Sequence, residues 1–439
     1  MKIMKFGGTS VGKPERMHEV ARLITRDSEP TIVVLSALSG TTNNLVAIGD
    51  ACAKGDKKIA KQLIDKLEDH YHQFINSLLK DEKMIAKAKA IISEHFEFLN
   101  IILKISFNDA LNKDILAQGE LMSTKMFSIY LEEQGIKHAL LPALEFMSID
   151  INDEPQIGTI RIKLNQLLQE HKDKKLFITQ GYICRNARNE VDNLKRGGSD
   201  YSASLIAAAV DASVCEIWTD IDGMHNNDPR VVNKTVAIDQ LSFDEAAELA
   251  YFGAKILHPA SIWPAQNFKI PVRLLNTMQP DAKGTLIAEE AGSTGIKAVA
   301  AKDAITVVRI KSSRMLLAYG FLRKVFEIFE KYRTPIDMIA TSEVAVSLTI
   351  DNDTNLAMIL KELDPFGEVE VVKDQTIIAI VGNELADTAG ILAKIFTALQ
   401  TVNIGMVSFG GSSHNVSILV PTSSKTETLQ LLNSGVFGL

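Results

Sequence analysis

Two rhythms of apolar residues run along the first part of the chain. Short apolar runs stand at Ile3 to Phe6, Thr31 to Leu35, Ala139 to Leu141, Leu176 to Thr179, Val214 to Trp218 and Pro271 to Leu275. Between them apolar residues return every three or four positions, the mark of amphipathic helices. Strands alternating with helices predict an α/β domain built on a mainly parallel sheet sandwiched between helices. Between the second and third strands, Ile59, Leu63, Leu67, Phe74 and Leu78, then Ile85, Ile92, Phe96, Leu99 and Leu103, keep the helical spacing and predict a helical insertion. Its lysines Lys57, Lys58, Lys61, Lys83, Lys87 and Lys89 alternate with acids, as on a solvated helix surface.

The pattern changes after Gly284. Glu289 to Gly295 is polar and glycine-bearing and reads as a linker, which sets expected domains at 1–291 and 292–439. Beyond it, Gly320-Phe321-Leu322-Arg323-Lys324-Val325-Phe326 recurs as Gly390-Ile391-Leu392-Ala393-Lys394-Ile395-Phe396, and Val346 to Ile350 recurs as Val416 to Val420. The tail is therefore an internal duplication. In the second copy, strands are expected at Ile377 to Val381, Met406 to Phe409 and Val416 to Val420, with helices at Asp387 to Leu399 and Thr426 to Leu432. Small α+β, ferredoxin-like modules of this order resemble the ACT regulatory fold, although such modules also serve simply to dimerise.

Composition narrows the class of partner. Of 439 residues, 46% are hydrophobic and 23% charged, which excludes disorder, and 47 basic against 54 acidic side chains leave a formal charge of -7. A negative balance argues against nucleic acid and for a small-molecule substrate. Cys52, Cys184 and Cys215 are too few and too scattered for a disulfide framework, and no Cys/His spacing suits structural zinc. Met1 to Phe6 runs into Gly7-Gly8 without the apolar core of a secretory signal, and no run approaches the roughly 18 apolar residues of a membrane helix. A soluble protein of the reducing cytoplasm, away from membranes, is expected.

Several glycine-bearing turns carry candidate chemistry. Gly7-Gly8-Thr9-Ser10-Val11-Gly12-Lys13 nearly spells a phosphate-binding P-loop, but the position that should offer a hydroxyl to magnesium is Pro14. Pro14 reads better as the first residue of a helix, so the P-loop is a decoy. What survives is Lys5, at a strand end, followed by Gly7 and Gly8, whose backbone can approach a phosphate closely. A second turn, Lys195-Arg196-Gly197-Gly198-Ser199-Asp200, opens a helical run that Ser199 or Asp200 could cap. Its N-terminus makes either an anion site or an ordinary capped helix, and Arg196 offers the planar fork that grips carboxylates. Trp218-Thr219-Asp220 ends a strand, where α/β sheets bind ligands, and leads to the loop through Arg230. Phe252-Gly253-Ala254-Lys255 supplies another lysine beside a glycine, and Gln118-Gly119-Glu120-Leu121-Met122-Ser123 sets a carboxylate on a helix.

Over essentially its whole length the chain resembles the aspartokinases of the amino-acid kinase family, in particular the single-function, lysine-regulated form. The blocks that carry the resemblance are Lys5 to Val11, Ser36-Ala37-Leu38-Ser39-Gly40-Thr41-Thr42-Asn43, Gly119 to Ser123, Arg196 to Asp200 and Phe252 to Pro259. The resemblance implies transfer of the γ-phosphoryl group of ATP to the β-carboxylate of L-aspartate, with Mg²⁺ carried mainly by nucleotide oxygens and with no dedicated metal ligands on the protein. The nucleophile is a carboxylate already ionised at neutral pH, so no general base is needed; the chemistry calls for positive charge and backbone donors.

Carried over motif by motif, Lys5 would stabilise the transferring group, Gly7 and Gly8 would cradle it, Lys255 would hold the nucleotide phosphates and Asp200 would orient the lysines. Arg196 would take the α-carboxylate of aspartate and Glu120 its ammonium, with Ser36, Thr42 and Ser199 completing the pocket. Thr219, Asp220, His225, Arg230 and Lys255 would surround the nucleotide, His225 standing where the family usually has tyrosine. In the tail, Met315, Phe321, Leu322, Pro335, Ile336, Asp337, Ser342 and Glu343 match the family's effector pocket. Asp337 and Glu343 would bind an amino-acid ammonium, with lysine as the implied effector, and the paired modules imply a homodimer. Two alternatives stand beside this reading: a non-catalytic amino-acid sensor, and a kinase of the same fold acting on glutamate or a nucleotide.

Overall fold

The computed structural model describes residues 1–439 except 195–196, 254–257, 291, 313–314 and 316–318. It divides into two compact units. The first comprises Met1–Met224, Asp239–Phe243 and Leu257–Glu290, the second His225–Ile238, Asp244–Ile256 and Ala291–Leu439. The division is thus not a single cut: two stretches from before residue 291 belong with the tail. None of the described helices is long and apolar enough to cross a membrane.

The first unit is an α/β sandwich. Its strands are β1 (Lys2–Phe6), β2 (Thr31–Leu35), β3 (Ala139–Leu141), β4 (Leu176–Gln180), β5 (Ile183–Arg185), β6 (Val191–Asn193), β7 (Cys215–Thr219), β8 (Gln240–Ser242), β9 (Val272–Asn276) and β10 (Thr285–Ala288). Eight of them form one sheet in the order β3-β4-β2-β1-β7-β9-β10-β8, parallel except where β10 meets β9, while β5 and β6 make a separate hairpin. Every residue of β1, β2 and β4 is buried, as expected where helices cover both faces of a parallel sheet. The helical insertion forms as the spacing predicts, in helices Lys57–Leu78 and Glu82–Ile102, each opened by an aspartate side chain that accepts backbone N–H groups. Ile64, Leu67, Phe74, Ile92, Phe96 and Leu99 carry their apolar face into a core shared with β1 and β2.

In the second unit the strands are β11 (Gly295–Lys311), β12 (Ile339–Thr341), β13 (Ala345–Ile350), β14 (Glu368–Asn383), β15 (Met406–Phe409) and β16 (Asn415–Pro421), in one antiparallel sheet ordered β12-β13-β11-β14-β16-β15. The two modules interleave. The first half of β11 packs through Ile296 and Val299 into the core of the second module, whereas Val369 and Val371, from the first half of β14, pack into the core of the first. The crossover falls at a register shift between Lys302 and Ile305, where Ala304 takes a left-handed φ of 60°. Gly320 and Gly390, the repeated glycines, sit left-handed at φ 79° and 83° as N-caps of helices Phe321–Lys331 and Ile391–Ala398. The second of these helices starts later than the expected Asp387, because the chain turns at Gly390 first.

Candidate active site

Strand register puts the candidate residues side by side. Phe6 pairs with Leu35 and with Trp218, and Leu35 pairs with Gln180, so three parallel strands end on one rung and β7 runs one residue further. The next residues, Gly7, Ser36, Gly181 and Thr219, therefore form a row at the carboxyl end of the sheet, where α/β folds take their ligands. Backbone bonds extend the row: Ser36 N–H donates to the Phe6 carbonyl at 3.2 Å, Gly181 N–H to Leu35 at 2.9 Å and Gly7 N–H to Trp218 at 3.4 Å.

Lys5 lies on β1, 9% exposed, and its ammonium meets Asp200 Oδ1 at 2.6 Å. Asp200 stands in the first turn of helix Gly198–Ala209, where the helix dipole favours a carboxylate. The N-cap falls on Gly197, with no capping side chain, so neither Ser199 nor Asp200 caps this helix. Gly197 is required there: its φ is 66°, and a Cβ would meet that of Ser261 at 2.6 Å. Relieved of capping, the Ser199 hydroxyl takes a 2.9 Å hydrogen bond from Ser36 Oγ. A Cβ on Gly7 would lie 3.3 Å from the Lys5 ammonium, so the glycine keeps the space beside that cation open. Pro14 opens helix Pro14–Ile24, as the decoy reading requires.

Glu120 closes the network from the other side. It sits on helix Asp109–Glu133 and is 4% exposed; its Oε1 accepts the Ala37 N–H at 3.2 Å, while Oε2 is buried with no hydrogen-bond partner among the described residues. Burial drives its carboxyl up to about 7, against the pull of the Ala37 bond. The close fit of this helix to Ser36-Ala37 depends on Gly119, whose Cβ would stand 2.8 Å from that of Ala37. Ser123 Oγ, one turn on, donates to the Ser36 carbonyl at 2.8 Å. A continuous chain of contacts thus runs from Lys5 through Asp200 and Ser199 to Ser36, Ala37 and Glu120.

Of the other expected residues, Thr42 and Asp220 lie in the first unit but outside this chain of contacts. Thr42 is exposed in the first turn of helix Thr41–Ala53; its neighbour Thr41 is the buried one, bonded to the Tyr71 hydroxyl at 3.1 Å. Asp220 is exposed and accepts the Thr219 hydroxyl at 3.1 Å. His225 and Arg230 belong to the second unit, where His225 Nδ1 lies 2.7 Å from Thr235 Oγ1 and Arg230 pairs with Asp228 at 2.8 Å. Arg196 and Lys255 lie outside the described residues.

Tyr182 escaped the sequence reading. It follows β4 with a φ of 66°, held by its N–H bond to Ser202 Oγ at 2.7 Å. Burial, then the nearby Glu120 charge, push its hydroxyl up to about 12. A non-glycine residue strained at a strand end beside a buried acid has the look of a site residue. Only its place after an apolar strand is visible in sequence.

In the second unit, Asp337 precedes β12, and Ser342 and Glu343 occupy the turn between β12 and β13. Phe321 and Leu322 open helix Phe321–Lys331, and the Met315 N–H bonds the Ser312 carbonyl at 3.1 Å. Pro335 is exposed and Ile336 half-buried.

No three His, Cys, Asp or Glu side chains gather to hold a metal among the described residues. What the site offers an anion is the Lys5 ammonium and open backbone at Gly7, a donor set that fits a phosphate bringing its own Mg²⁺.

A parallel sheet presenting a lysine, glycines and a buried acid at its carboxyl edge, followed by two interleaved α+β modules, defines a class of small-molecule kinase carrying a regulatory tail. The amino acid kinase family model matches residues 1–276 and an ACT domain model residues 378–435. The chain is 34% identical to the lysine-sensitive aspartokinase 3 of Escherichia coli, covering 99% of each. E. coli aspartokinase III in complex with aspartate and ADP superposes with a TM-score of 0.82 at 33% identity, covering 100% of both chains. The form of that enzyme with lysine and aspartate gives the same TM-score and identity over 100% of this chain and 99% of the other. The chain belongs to the amino acid kinase family and, within it, to the aspartokinases.

Proposed function

We propose that the chain transfers the γ-phosphoryl group of ATP to the β-carboxylate of L-aspartate, giving 4-phospho-L-aspartate, and that lysine inhibits it. The observation that carries this reading is the contact chain from the Lys5–Asp200 pair to Glu120, whose buried Oε2 has no partner among the described residues. The E. coli relative binds aspartate and ADP in one form and lysine in another, which supports both halves of the proposal.

The reaction brings one anion against another, so positive charge must meet the phosphoryl group as it moves. Lys5 supplies it, with Asp200 fixing the ammonium beside Gly7, and Gly7 and Gly8 cradle the phosphate. Mg²⁺, when bound on the nucleotide oxygens, adds charge that the protein need not provide. Glu120 takes the substrate ammonium, Arg196 its α-carboxylate, and Ser36, Thr42 and Ser199 complete the pocket. Thr219, Asp220, His225, Arg230 and Lys255 serve the nucleotide.

Residues 1–291 form the catalytic part and 292–439 the regulatory part, which takes lysine through Met315, Phe321, Leu322, Pro335, Ile336, Asp337, Ser342 and Glu343. The modules pair two chains into a homodimer. Three free thiols, Cys52, Cys184 and Cys215, suit the reducing cytoplasm. Assay of ADP formation with aspartate, ATP and Mg²⁺ tests the reading: turnover is expected, and phosphorylation of glutamate in preference to aspartate would redirect it to another kinase of the fold.

A further inference from the structure

Helix Phe243–Tyr251 lies within the stretch that the kinase family model covers, yet from Asp244 onward it packs with the regulatory sheet. The attachment runs along its length. Glu245, fully buried, pairs with Lys297 of β11 at 2.8 Å, and Glu248 accepts Asn415 Nδ2 of β16 at 3.0 Å. At its last turn the Tyr251 hydroxyl donates to Asp337 Oδ1, and the Lys302 ammonium lies over the Tyr251 ring, 4.2 Å from its centroid. Two residues on, Gly253 turns at φ 121° so close to the Ala301 carbonyl that a Cβ there would clash. Lys255, the lysine assigned to the nucleotide phosphates, follows Tyr251 by four residues in the chain.

Asp337 is the hub. Its side chain is 1% exposed; Oδ1 takes both Tyr251 and Lys302, the latter at 2.9 Å, and Oδ2 is buried with no hydrogen-bond partner among the described residues. Lys302 also pairs with Asp351 at 2.9 Å. Two carboxylates and one ammonium leave this trio one negative charge in excess, so a further cation is favoured there. Burial and then the Asp337 bond push the Tyr251 hydroxyl up to about 12, so it stays a donor at neutral pH.

We propose that Tyr251 couples effector binding to the kinase: an amino-acid ammonium arriving at Asp337 competes with Lys302 and the Tyr251 hydroxyl for that carboxylate and loosens the end of the helix that leads to Lys255. This rests on the reading of Asp337 as an effector ligand. Tyr251 is then a positioning residue, and Lys302 an internal cation that sets how much effector is needed. Coupling needs a contact that differs between two states, and a shared carboxylate provides one.

The test is Tyr251→Phe in the full chain, read by two measurements with lysine as probe: the thermal shift on lysine addition for binding, and ADP formation for inhibition. The shift should persist while the half-inhibitory lysine concentration rises about tenfold, an ordinary coupling magnitude. Lys302→Met, which removes the competing cation, should lower that concentration severalfold. Unchanged inhibition of Tyr251→Phe would overturn the proposal, as would loss of the thermal shift together with inhibition, since Tyr251 would then merely build the site. Should Tyr251→Phe fail to fold, Lys302→Met decides alone, and unchanged inhibition would again overturn the coupling. A wild-type protein neither stabilised nor inhibited by lysine would instead refute the effector reading itself.

Discussion

Glu120 and Asp337 both have buried carboxylates with one oxygen left without a hydrogen-bond partner among the described residues, and they differ in what holds the other. Among the described residues Glu120 Oε1 has only the Ala37 N–H, and burial drives the carboxyl up to about 7. Asp337 has an internal ammonium and a tyrosine hydroxyl. Among the described residues the first acid has no cation paired with it, so in the proposed reading it gains most when a substrate brings one. The second already owns a cation on Oδ1, so an ammonium drawn to its open Oδ2 has to share the carboxylate with Lys302 and Tyr251, and a shared carboxylate is what a switch requires. In the proposed reading, recognition and regulation thus arise from the same side-chain chemistry under different local charge.

The sharpest way to break this contrast is to remove the cation proposed to serve catalysis. Lys5→Ala should lower kcat about 10³-fold, the loss expected when one preorganised transition-state charge is deleted, with steady-state ADP formation as the readout. Next in size is Glu120→Gln, which keeps shape but cannot balance an ammonium. KM for aspartate should rise about 100-fold, in the range for loss of one member of a buried charge pair, with kcat much less affected.

A pH series sharpens the same point. Because the free protein holds Glu120 at about 7, KM for aspartate should rise about tenfold per unit as pH falls below that value, and Glu120→Gln should flatten the profile. The sign for stability is opposite to that of an ordinary paired acid. The folded state binds the proton more tightly than the unfolded chain, so Glu120 costs stability increasingly as pH rises from about 4.5 through about 7. Thermal denaturation of wild type against Glu120→Gln across that window checks it. The smallest effect belongs to Lys13→Ala, which should alter kcat less than about twofold, as befits a surface substitution away from the chemistry.

How far the sequence announces these features depends on their range. All six apolar runs of the first unit lie within a residue of a strand, because burial on both faces demands uninterrupted apolar residues. The short strands β5, β6, β8 and β10 were not foreseen, since three or four residues carry too little periodicity. The Lys5, Glu120, Ser36, Ser199 and Asp200 blocks were visible as motifs, yet the hydrogen bonds joining them follow from strand register and from glycine-permitted packing. Tyr182 was missed because its strained φ leaves no mark on residue type. The duplication was legible, but the exchange of half-strands at the Lys302 register shift was not, since both halves of β11 are equally apolar in pattern. Likewise nothing in composition hints that the helix before Lys255 travels with the tail.

Aspartate-dependent ADP formation, followed with and without lysine and against a Lys5→Ala control, tests the central claim most directly. Turnover with L-aspartate that falls as lysine is added is the expected result. ADP formation no faster than in the Lys5→Ala control would contradict it, and would leave a sensor that has kept a kinase fold.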